Sequence, residues 1–251
     1  MEYVKPEDAR EMRGLRLALT AGVPAPFSMS AKAILDLRGV EYVPVEQIGG
    51  GSNKELLAWT KHRNAPVAVY NDEAPRIGWL EILNLAERLG SGPSLIPEGI
   101  ADRQRMIGMT NELIGENGWV WNMRLVMLGL GGPERAKAAA EKNPMYADYG
   151  YSEDARDVAL GRAKEILDDF TTLVKDANGE YLFGGTLSAL DIYWVFFSNI
   201  LKTFPEDICP MPSGLRKAYD FSGSALGDYD SVLIEHRDFI AERHIDLPMV
   251  F

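Results

Sequence analysis

Cysteine is the first residue type to look for when a sequence is searched for chemistry, and this chain has one, Cys209. It lies in Asp207-Ile208-Cys209-Pro210-Met211-Pro212, a proline-rich stretch with no companion motif for a nucleophile. A single cysteine also rules out an intramolecular disulfide. The histidines His62, His236 and His244 have no metal-ligand spacing with the cysteine or with one another, so no metal is expected. Hydroxyls are more suggestive. Thr20, Ser28 and Ser30 cluster around a Gly- and Pro-punctuated loop, and Ser28 stands two residues after Pro26 at the start of a helical pattern. A serine there is a common helix cap. Further along, Trp119, Trp121 and Arg124 fall on one helical stretch, as do Asn111 and Glu112. Such tryptophans either shape a hydrophobic ligand site or fill a core. Met106, Met109, Met123 and Met127 recur at helical spacing and read as packing.

The elements that must position these residues come in two styles. Residues 14–20 fit a short, largely buried strand, and 21–26 a loop carrying Gly22, Pro24 and Pro26. A helix follows from Phe27 to Leu37, with Gly39 placed to end it. Residues 41–45 read as a strand whose Pro44 suits an edge. Gly49-Gly50-Gly51 leads to Ser52 or Asn53 as the cap of a short helix bearing Leu56, Leu57 and Trp59. Residues 66–70 form the next strand, then a turn, a short strand around Arg76-Ile77, and a helix marked by Trp79, Ile82, Leu83, Ala86 and Leu89. The order is βαβαββα.

Glycines and prolines at 90–93 and 97–99 then read as a linker. Beyond it the period changes to long helical patterns, roughly 101–130, 152–176, 188–203 and 229–242, without convincing strand pairs. The expected division is an α/β domain over 1–92, with 1–13 as an extension, and an all-α domain over 98–251. With 251 residues the chain is long enough for two cores, and 46% apolar with 25% charged residues is ordinary globular composition. The formal net charge of -11 argues against nucleic acid and against an anionic membrane surface as partners. No apolar run reaches the length of a membrane span and no signal-peptide core is present, so a cytoplasmic location is the default expectation.

Three motifs carry a resemblance. The first is Ala25-Pro26-Phe27-Ser28-Met29-Ser30, continuing to Arg38-Gly39-Val40-Glu41-Tyr42. The second is Asn64-Ala65-Pro66-Val67. The third is Gly184-Gly185-Thr186-Leu187-Ser188-Ala189-Leu190-Asp191-Ile192, where Ser188 and Asp191 have the spacing of a capping box. In this order the chain resembles the glutathione transferase superfamily over roughly residues 15 to 205. The resemblance implies a thioredoxin-like N-terminal domain, an all-helical C-terminal bundle and a cis peptide bond before Pro66. It also implies glutathione as co-substrate and a homodimer.

The same resemblance implies a chemistry: glutathione is bound and its thiolate stabilised where helix N–H groups and the helix dipole favour an anion. Ala25 stands where the omega-class pattern has a cysteine, which disfavours thiol-disulfide exchange. Pro26-Phe27-Ser28 matches the phi-class spacing, so Ser28 is the candidate to donate a hydrogen bond to the sulfur; its other use is as a helix cap. Ala65 and Pro66 would border the cysteinyl part of glutathione. Gly78 and Trp79 stand where the family has an acid-serine pair for the γ-glutamyl end, so backbone N–H groups, assisted by Arg76, would serve there. Two functions stay open: conjugation of glutathione to a small hydrophobic electrophile, and ligand binding or protein interaction without catalysis.

Overall fold

A computed structural model describes residues 1–183 and 185–251; Gly184, the first residue of the third motif, lies outside the described residues. The described chain divides into two compact units. The first comprises Met1–Leu95, Pro205–Met211 and Glu242–Phe251, and the second comprises Ile96–Phe204 and Pro212–Ala241.

In the first unit the elements are α1 (Pro6–Ala9), β1 (Leu15–Thr20), α2 (Pro26–Leu37), β2 (Val43–Gln47), α3 (Lys54–Thr60), β3 (Val67–Tyr70) and α4 (Trp79–Leu89). The sheet runs β2-β1-β3, with β1 parallel to β2 and antiparallel to β3. All six residues of β1 are buried, as a central strand covered on both faces requires. Pro44 sits on the edge strand β2, where its missing N–H costs no ladder bond. The strand expected around Arg76-Ile77 is present as one antiparallel bridge, Ala68 to Arg76.

The residues before β1 are part of this packing. Val4 bridges Val45 in parallel, and Ala9 is fully buried with Ala18, Val45, Leu56, Val67 and Val69. Helix α2 starts with Pro26 in its first turn and ends in Gly39 at φ 66°. There the Val40 N–H bonds Leu35 O and the Gly39 N–H bonds Asp36 O, a Schellman closure that needs a residue tolerant of positive φ. Asn53 precedes α3 with φ 43°, but its side chain does not cap the helix. Its amide instead ties the preceding glycine turn, bonding Ile48 N, Ile48 O and Gly51 O.

The second unit is helical: α5 (Ile100–Ile114), α6 (Trp119–Leu128), α7 (Pro133–Ala140), α8 (Met145–Asp148), α9 (Glu153–Asp176), α10 (Ala189–Phe197), a 3-10 turn at Ser198–Ile200, α11 (Ser213–Leu226) and α12 (Val232–His244), whose last residues belong to the first unit. The single helix expected over 101–130 is two. The chain breaks at 115–118, where a Cβ on Gly118 would fall 2.5 Å from Glu112 O. The Ser152 hydroxyl caps α9 by accepting the Ala155 N–H at 3.0 Å. Every residue of α10 is buried, and Trp194 packs between Trp119 and Phe170, with centroids 5.6 and 4.7 Å away. Trp119 therefore belongs to the core. No helix among the described residues is long and apolar enough to cross a membrane.

Candidate functional site

The residues singled out in the first unit gather at one end of its sheet, for a topological reason. Thr20 ends β1 and pairs with Gln47 at the end of the parallel strand β2. Antiparallel β3 begins at this same end, because Ala18 pairs with Val67. Ala65 and Pro66 precede Val67, and the peptide bond between them is cis. From the Arg76 bridge to Ala68 the chain runs back toward that end, which puts Gly78 and the start of α4 there too.

A chain of buried polar groups links these pieces. The Ser28 hydroxyl accepts the Thr20 N–H at 3.1 Å and donates to Thr20 Oγ1 at 3.3 Å. Thr20 Oγ1 donates in turn to Gln47 Oε1 at 2.8 Å. The Gln47 amide donates to Ile48 O at 3.0 Å and to Arg63 O at 3.4 Å, just ahead of the cis bond. Ser28, Thr20 and Gln47 are all buried, and Ser28 is 3% exposed. Within this chain the Ser28 proton has a poor acceptor contact, since O–H···O bonds favour roughly 2.7–2.8 Å. Ser30 is committed elsewhere: fully buried, it donates to Pro26 O at 2.7 Å within its own helix. Ala25 is the N-cap of α2 and offers no side-chain cap bond. His62 stands near this network; burial and then the charge of Arg63 push its imidazole below the usual value, which favours the neutral ring.

At the start of α4, Gly78 is the N-cap with extended backbone and Trp79 the first helical residue, half-buried. Here a carboxylate from the chain itself is present. Glu81 Oε2 accepts the Ile77 N–H at 3.1 Å and the Gly78 N–H at 2.9 Å. Arg76 does not stand free to assist an anion: its guanidinium bonds Glu73 Oε2 at 2.7 Å and the carbonyl of Ala74. Glu73 is shared with Arg88, whose hydrogen bond does most to hold that carboxyl below the usual range. Neither Gln47 nor Glu81 was singled out in the sequence. Glu81 had a signal, a glutamate three residues after a helix N-cap. Gln47 had none, because a polar residue ending an edge strand is ordinary.

Solved structures with this fold exist. A glutathione S-transferase domain-containing protein from Marinobacter aquaeolei VT8 superposes with TM-score 0.63 at 16% identity, over 92% of this chain and 100% of that one. The chain has the glutathione transferase fold. The Tau class glutathione S-transferase of mango, Mangifera indica, matches with TM-score 0.54 at 22% identity, over 88% and 96% of the two chains. A glutathione S-transferase from Methylobacillus flagellatus kt, solved with glutathione bound, matches with TM-score 0.59 at 10% identity, over 88% and 98%. No family model and no curated protein matches the sequence. Within the transferase fold the third motif has a structural use. The Ser188 N–H and hydroxyl both donate to Asp191 Oδ2, at 2.8 and 2.6 Å, at the start of α10. The described residues include no cluster of His, Cys, Asp or Glu able to hold a metal ion.

Proposed function

We propose that the protein binds glutathione at this end of the sheet and transfers it to a small hydrophobic electrophile. The observation that carries the reading is that the cis Ala65–Pro66 bond and the start of α2 lie at the same end of the sheet, linked through Ser28, Thr20 and Gln47. The main chain at Ala65 offers the cysteinyl backbone of glutathione a partner, and Pro66 fixes its direction. Gly78 and Trp79 border the γ-glutamyl end through backbone N–H groups. The sulfur lies at the N-terminus of α2, where N–H groups and the helix dipole favour a thiolate. Ser28, whose proton is held at only 3.3 Å by Thr20, turns it to the sulfur, the better acceptor. On this reading the protein works in the cytoplasm as a homodimer and needs no metal.

Calorimetric titration with glutathione tests the reading. Saturable binding at micromolar to low millimolar ligand supports it, and no heat at saturating ligand overturns it. Sedimentation reports the dimer, and a monomeric mass removes that part alone.

One observation favours a second reading, a ligand-binding protein without catalysis. The Ile77 and Gly78 N–H groups are already held by Glu81, so an incoming carboxylate must displace it.

A further inference from the structure

Arginines buried in this protein are nearly all spent on the main chain. Arg16 donates to Gly14 O and Asn71 O, both at 2.9 Å, Arg216 to Phe204 O at 2.9 Å, and Arg237 to Lys202 O at 2.7 Å. Arg38 reaches three carbonyls and the Glu87 carboxylate. Arg124 on α6 is different. It is half-buried, and its Nε is buried with no hydrogen-bond partner, as are those of Arg16 and Arg38; what sets it apart is that its terminal nitrogens reach no main-chain oxygen among the described residues. Its Nη1 meets only the thioether of Met127, at 3.9 Å. Among the described residues no carboxylate pairs with it, although the chain carries 37 acids against 26 Lys and Arg.

One aromatic ring faces this cation, and a second adjoins the first. Its Cζ lies 5.8 Å from the Tyr149 ring centroid, and the Trp121 ring stands 4.6 Å from that of Tyr149 at 45°. Trp121 and Tyr149 pack against the buried cluster of Leu125, Val126 and Ala159, yet both residues remain half-buried. A guanidinium has five N–H donors in a planar fork. Burying one of them, the Nε–H, without an acceptor is costly. A cation–π contact with Tyr149 offsets part of that cost but satisfies no N–H.

We propose that Trp121, Arg124 and Tyr149 form a binding site for a small aromatic carboxylate. The guanidinium fork takes the carboxylate, in two parallel bonds where geometry allows. The ligand's ring lies against Trp121 and Tyr149. A single arginine on a chain of net charge -11 suits a monoanion better than a phosphate dianion. As the second substrate of a transfer reaction this ligand rests on the reading above; as a binding site it does not.

The test is calorimetry on the whole chain with 2-naphthoate and benzoate, each beside its neutral amide. Both acids should bind, about tenfold or more tighter than the amides, and more weakly as salt is raised. Arg124→Met should bring acid affinity down to that of the amide while leaving amide binding in place; Arg124→Lys should restore part of the loss. No heat from either acid, equal binding of acid and amide, or an unchanged affinity in Arg124→Met overturns the proposal. The acid-amide comparison needs no variant, so it stands even if Arg124→Met misfolds. Naphthoate binding without glutathione binding sinks the glutathione reading alone; the reverse sinks this site alone.

Discussion

Glu81 Oε2 accepts the Gly78 N–H at 2.9 Å, so α4 carries a carboxylate of its own where the transferase reading places that of glutathione. Both carboxylates cannot use the same donors. Glu81→Ala should therefore raise glutathione affinity by about threefold to tenfold, the scale of one net hydrogen bond returned to the ligand. It should also lower stability by about 1 kcal/mol through the lost cap. Calorimetry and urea unfolding read the two effects separately. Weaker glutathione binding in the variant would show that Glu81 shapes the site rather than competes for it.

Ser28 gives a prediction of the opposite kind. Its Oγ accepts the buried Thr20 N–H at 3.1 Å, so Ser28→Ala should cost about 1–3 kcal/mol of stability by leaving that amide unpaired. If the hydroxyl also serves the sulfur, the conjugation rate should fall by more than the affinity, and the pKa of bound glutathione should rise. Thiolate absorbance against pH in the wild type and the variant measures this. A stability loss with an unchanged thiol pKa leaves Ser28 a structural residue joining α2 to β1.

What could be read in advance follows from how local each signal is. The entry of α2, expected at Phe27 and found at Pro26, its closure at Gly39 and the Ser188–Asp191 spacing depend on residues within a turn of one another, and all were legible. The cis bond before Pro66 was legible only through the resemblance. The rest rests on distant partners. Gly118 and Gly223 have no local cue that a Cβ would meet Glu112 O at 2.5 Å and Leu201 O at 2.1 Å. Helix α11, which carries Gly223, drew no expectation at all. At the site, Ser28 was visible but its attachment to Thr20 was not, since strand and helix meet only through the fold.

Arg38 joins the end of α2 to the chain after α4. Its Nη2 donates to Gly90 O at 3.0 Å and Glu87 O at 3.2 Å, its Nη1 to the Gly92 carbonyl, and its Nε lies 3.4 Å from Glu87 Oε1. Glu87 in turn holds the Leu95 N–H at 2.8 Å. Arg38→Met should cost about 3 kcal/mol, because several carbonyls and a largely buried carboxylate lose their partner together. Arg38→Lys should recover little, since an ammonium cannot span three carbonyls as a planar fork does. Urea midpoints compare the three proteins. A lysine variant as stable as the wild type would show that charge alone suffices.

Asp191 concentrates a similar dependence in the second unit. It is fully buried, and its two oxygens take the N–H and hydroxyl of Ser188, the Leu182 N–H at 3.2 Å and His236 Nε2 at 3.0 Å. The first of these partners belongs to the capping box; His236 comes from α12, 45 residues on. Asp191→Ala should cost about 3–5 kcal/mol, the scale for removing one member of a buried polar cluster. His236→Ala should cost less, because Asp191 keeps its other donors. If the pair ties α12 to the start of α10, the double variant should be less destabilised than the sum of the singles, by about 0.5–3 kcal/mol. Strict additivity in a urea-unfolding cycle would mean that His236 is held by its packing against Phe239, 6.4 Å away between ring centroids, and not by Asp191.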